Sequence, residues 1–153
     1  MRYAPATPFP SYAYRPGRAP HPRRDAAGHS FGRPDPTPPY VPPDRWRENE
    51  AYLFGVDLFN HGYWWESHEL WEALWLQSEG AEAQFLQGLI QVAAANIQRD
   101  LGKPDGPRRL AAEAIERLER AGDLMGLRVG DFVDGVRACH LEGRAEPPRI
   151  RLS

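Results

Sequence analysis

The run Asn60-His61-Gly62-Tyr63-Trp64-Trp65-Glu66-Ser67-His68-Glu69-Leu70-Trp71-Glu72-Ala73-Leu74-Trp75 gathers four of the chain's five tryptophans around His68 and three carboxylates. At about 100° per residue, Trp71, Trp64, Trp75, His68, Glu72 and Trp65 share one arc of a helix, and Leu70, Leu74 and Leu76 widen its apolar side. His68 and Glu72 therefore fall one turn apart inside the aromatic face, with Glu69 and Glu66 at its edge. Ionisable groups are costly to bury among large aromatics unless they are paired. The helix thus carries either a functional site or a polar network that fixes packing.

Helical periodicity continues in both directions. Upstream, Asp44 is a candidate N-cap, and Trp46, Leu53, Val56 and Phe59 recur at helical spacing until Gly62. Downstream, Ser78-Glu79-Gly80 separates the tryptophan helix from a third, expected over 81–101 and free of charge from Ala83 to Gln98. Phe85, Leu86, Leu89, Ile90, Ala93 and Ile97 give that helix a broad apolar face, which places it at the centre of the molecule. Gln84, Gln87, Gln91 and Gln98 form a stripe on its remaining side. The stripe either faces water or, if buried, needs partners. The rare polar groups nearest in sequence are His68, Glu69 and Glu72 on the preceding, antiparallel helix. A fourth helix follows Pro107, with Leu110, Ala114, Leu118 and Ala121 on its buried edge. A short fifth, marked by Phe132, Val133, Val136 and His140, closes at Gly143. No strand-like alternation competes. The fold expected is all-α: a compact bundle of about five helices over residues 44–153, large enough to hold a core without a disulfide or a metal.

Residues 1–43 differ in kind, holding twelve of the sixteen prolines and six arginines against two aspartates. A segment so rich in Pro, Gly, Tyr and Arg is expected to be a disordered tail, whose removal would leave stability unchanged. Its net charge of +4 leaves −6 on the remainder, to give the overall −2. That balance makes nucleic acid an unexpected partner for the bundle, and leaves only weak, salt-sensitive contacts through the tail's arginines. The tail lacks the apolar core of a secretory signal or membrane span. The lone Cys139 excludes an internal disulfide and a cysteine zinc cluster. A cytoplasmic protein, with no membrane partner and with homo-oligomerisation left open, fits these features.

Two chemistries suit the tryptophan helix. His68-Glu69-Leu70-Trp71-Glu72 is a partial match to the zinc-protease helix, with Glu72 in place of the second histidine, so His68 and Glu72 at i and i+4 can reach one metal ion. A third ligand would have to come from His61, Glu66 or His140. A divalent metal is compatible with this pair but not required by it. Without a metal, Glu69 or Glu72, desolvated by Trp65, Trp71 and Trp75, would act as acid or base with His68 as its partner. Glu66, Gln87, Gln91 and Trp65 would line a ligand pocket. The non-catalytic alternative is an interaction or scaffold module, in which Gln87 and Gln91 satisfy the His68–Glu72 pair and hold two helices in register.

The motif Phe59-Asn60-x-Gly62-x-Trp64-x-Glu66-x-His68-Glu69-x-x-Glu72-x-x-Trp75, followed by Phe85-Leu86-Gln87-Gly88-Leu89-Ile90-Gln91-x-Ala93-Ala94-Ala95, resembles the domain-of-unknown-function family numbered 309. The likeness extends more weakly to Gly126-Leu127 and Pro147-Pro148-Arg149-Ile150, and so spans most of residues 44–151. The resemblance implies a small helical bundle and adds weight to Glu66, His68, Glu69, Glu72, Gln87 and Gln91, but it implies no activity. Many members of that family carry histidine where Gln98 stands here, which weakens any metal model that would use that position.

Overall fold

The computed structural model describes residues 1–144 and 146–153. A short 3-10 helix, Pro43–Glu48, leads into α1 (Glu50–Asn60), α2 (Trp64–Trp75), α3 (Gly80–Asp100), α4 (Gly106–Ala121) and α5 (Val129–His140). The only pairing of strand type among the described residues is a pair of isolated bridges, from Leu127 to Leu124 and to Leu152. The all-α expectation holds. The first helix departs from it, because Asn49 caps α1 by accepting the Tyr52 N–H at 3.0 Å. That side-chain bond splits the helix expected from Asp44 into two pieces.

α3 lies at the centre, packed between α2 and α4, as its uncharged run requires. Its own Phe85 is fully buried, as are Tyr52 and Phe59 of α1 and Trp71 of α2. Two glycines set how closely the helices approach. A Cβ on Gly55 would lie 2.2 Å from Trp71 Nε1, and one on Gly88 would lie 2.7 Å from Leu118 Cγ. α1 thus closes onto α2, and α3 onto α4, at points where only glycine fits.

Residues 1–43 are not a free tail. They form an ordered arm that runs over α1, α2 and the end of α3. The Tyr3 and Ala4 N–H groups each donate to the Asp57 carboxylate at 2.8 Å, and Arg2 pairs with it at 3.3 Å. Phe9 stacks on Tyr63 at 5.0 Å and lies against Phe54 and His61. Arg15 sits over the Trp64 ring at 4.6 Å and pairs with Asp100 at 2.8 Å. Tyr14 and His21 meet Trp65 edge-on. Composition misleads here because a few well-placed anchors decide docking, whatever the average polarity of the segment. Four of the arginines expected to be available to nucleic acid, Arg2, Arg15, Arg18 and Arg23, are engaged with carboxylates of the chain itself.

Candidate functional site on the second helix

The aromatic face of α2 is buried unevenly. Trp71 is sealed and Trp64 nearly so, whereas Trp75 is 37% exposed. The carboxylates invert the order expected from the helical arc. Glu66, placed at the edge, is buried, and Glu72, placed within the aromatic face, is exposed. The arm accounts for the difference. Glu66 Oε2 accepts the Tyr14 N–H at 2.9 Å and lies 2.7 Å from His29 Nε2. His29 and Glu66 side chains are only 4% and 6% exposed.

His68, Glu69 and Glu72 remain together at the rim of the aromatic face. One ligand atom from each lies within 4.8 Å of the others. His68 Nδ1 stands 3.8 Å from Glu72 Oε2, too far for a hydrogen bond, and this buried nitrogen has no hydrogen-bond partner. Two atoms each about 2.1 Å from one ion can be separated by at most about 4.2 Å; the His68–Glu72 spacing lies inside that limit and the 4.8 Å spread of the three atoms outside it, so a shared cation would require the cluster to close. Glu72 is exposed and has room to close the remainder. None of the third ligands considered from sequence joins this cluster, whose third member is Glu69. His61 is bonded to the Asp57 carbonyl at 2.8 Å, Glu66 is held by the arm, and His140 Nε2 lies 2.6 Å from Asn96 Oδ1.

Partial burial pushes the Glu69 carboxyl above its usual range, and the neighbouring His68 opposes the shift. The arm's Arg23 and Asp35 act on Glu69 in opposite senses, which places the arm beside this cluster too. On α2, His68 and Trp65 line an open cavity of about 560 Å³ with Pro16 of the arm, Ala94, Ile97 and Gln98 of α3, Leu101 just beyond it, and Lys103 to Gly106 leading into α4. Lys103 is the only lysine in a chain with eighteen arginines.

Gln98 lines that cavity, but Gln84 and Gln91 face away from the cluster. Gln91 Nε2 donates to Glu113 at 3.0 Å, and Gln84 accepts from Arg117 at 3.0 Å. Gln87 falls between them on the same stripe. This part of the stripe is turned towards α4, which runs antiparallel to it, and no hydrogen bond among the described residues joins Gln87 or Gln91 to His68 or Glu72. The cluster is therefore neither sealed nor internally satisfied. Sequence reasoning missed Asp57 altogether, although a lone carboxylate inside the apolar run Leu53-Phe54-Gly55-Val56-Asp57-Leu58-Phe59 was a visible signal.

These features define a small helical-bundle protein with a polar cluster on its second helix, partly roofed by an N-terminal arm. Residues 52–110 match the model of the family described as Domain of unknown function (DUF309). The match takes in α2 and α3, and with them His68, Glu69, Glu72 and Gln98. The resemblance read from the motifs holds over these residues. No curated protein and no solved structure matches the chain.

Proposed function

We propose that α2 binds a divalent cation through His68, Glu69 and Glu72, beside a cavity that admits a small organic ligand. The observation that carries this reading is the convergence of one ligand atom each from His68, Glu69 and Glu72 within 4.8 Å, beside which the Nδ1 of His68 is buried and unpartnered. One imidazole and two carboxylates suit Zn²⁺ or Mn²⁺ better than a cation that demands an all-oxygen shell. A bound ion would supply Lewis acidity. It would hold Glu69 and Glu72 as carboxylates, against the burial that pushes the Glu69 carboxyl above its usual range. Trp65 is the aromatic wall of the ligand cavity, which Glu66, Gln87 and Gln91 do not line. The alternative, a scaffold module in which the cluster fixes helix register, draws less support. Contacts that register α3 against α4 are instead made by Gln84 and Gln91 with Arg117 and Glu113. No helix among the described residues is long and apolar enough to cross a membrane. We place the protein in a reducing cytoplasm because its one cysteine is free and buried.

Calorimetric titration of Zn²⁺ and Mn²⁺ into chelator-treated protein tests the reading. Saturable one-to-one binding is expected, weakened about tenfold or more in His68→Ala and in Glu72→Gln. Saturating cation should also raise the melting temperature of the parent and not that of the variants. Binding that is absent, or indifferent to both substitutions, would overturn it.

A further inference from the structure

Asp57 and Glu66 are both buried in the bundle. Among the described residues, the arm supplies every hydrogen bond that their carboxylates accept: Arg2, Tyr3 and Ala4 to Asp57, and Tyr14 and His29 to Glu66. Three of these donors are backbone N–H groups, the consecutive pair of Tyr3 and Ala4 in a bend on Asp57 and that of Tyr14 on Glu66, so the two carboxylates recognise main chain. Phe54, Tyr63, Trp64 and Trp65, between and around them, receive Phe9, Arg15, Tyr14 and His21. Together these groups have the features of a peptide site: fixed acceptors for the backbone and aromatic platforms for the side chains.

We propose that the α1–α2 face is a peptide-binding surface for segments bearing arginine and aromatic residues, and that the arm of a second copy of this chain is its ligand in trans. Two observations favour that occupant. The arm carries +4 and the remainder −6, so one copy's arm complements another's body. Residues 34–43, which join the arm to the bundle, hold six prolines in ten positions. Such a linker is extended at about 3.1 Å per residue, long enough to reach a neighbouring molecule. Reciprocal exchange about a two-fold axis would also keep every arm contact intact. This inference is independent of the cation reading.

The test uses a labelled peptide of residues 1–33 and fluorescence anisotropy. In the wild-type protein the tethered arm competes at about millimolar effective concentration. The peptide is therefore expected to bind about tenfold or more tightly to full-length protein carrying Arg2→Ala and His29→Ala in its own arm. A peptide with the same two substitutions should lose that binding. Equal affinity for both proteins, or none for a folded double variant, would overturn the proposal. Should the double variant fail to fold, wild-type background decides. Donor-labelled Ser11→Cys and acceptor-labelled Glu79→Cys populations are mixed, and exchange requires energy transfer that grows with concentration. Its absence up to about 1 mM would overturn the proposal.

Discussion

His29 and Glu66 stand 37 positions apart in sequence and meet in a nearly dry contact, so each is exposed to large consequences if the other is lost. His29→Ala leaves a buried carboxylate with one donor fewer and should cost about 3–5 kcal/mol in urea denaturation. Glu66→Gln should cost less, because an amide oxygen still accepts the Tyr14 N–H. A second residue-scale test concerns His140, where burial, aided by Arg99, lowers the imidazole to about 4. The group is neutral in the folded protein and ordinarily titrates near 6.5 when unfolded. Its contribution is therefore fully present above about pH 6.5 and is lost as the pH falls towards 4, about 3 kcal/mol in all. His140→Gln should flatten the urea midpoint against pH over that window. At this scale the sequence was informative about residue types and poor about burial. The helical arc singled out His68, Glu69 and Glu72, which do converge. It could not show that Glu66 lies beneath an arm, since no periodicity connects residue 66 to residues 14 and 29.

Elements were the most legible level. The uncharged run from Ala83 to Gln98 could only be a central helix, and α3 is one. The break at Asn49 went unread because Asp44 offers an equally good cap, and only the local Asn49–Tyr52 bond decides between them. The destination of the glutamine stripe was likewise open, since a stripe records spacing and not which neighbour it meets. The contacts between elements give a clear mutational expectation. Alanine ordinarily improves a helix over glycine by about 1 kcal/mol. At Gly55 and Gly88 the added methyl would instead press into Trp71 and Leu118. Gly55→Ala and Gly88→Ala should each destabilise by about 1–3 kcal/mol, read as a lowered thermal midpoint. A stabilised variant at either position would show that the helices do not approach this closely.

The molecule as a whole was misread at its N-terminus, and for a physical reason. Counting prolines and arginines treats a segment as its average, whereas docking depends on whether a few groups find partners that need them. Asp57 and Glu66 need donors, and the arm brings them. Deleting residues 1–40 should therefore lower the melting temperature by about 10 °C or more, because two buried carboxylates lose their donors and the aromatic face of α2 is uncovered. It should also disturb the cavity beside His68, one wall of which is Pro16. The most direct measurement of this account is amide hydrogen exchange at Tyr3, Ala4 and Tyr14, whose N–H groups donate to Asp57 and Glu66. An arm built into the fold should slow exchange there by about a thousandfold or more relative to unstructured chain. Exchange at unstructured rates at all three positions would contradict the account.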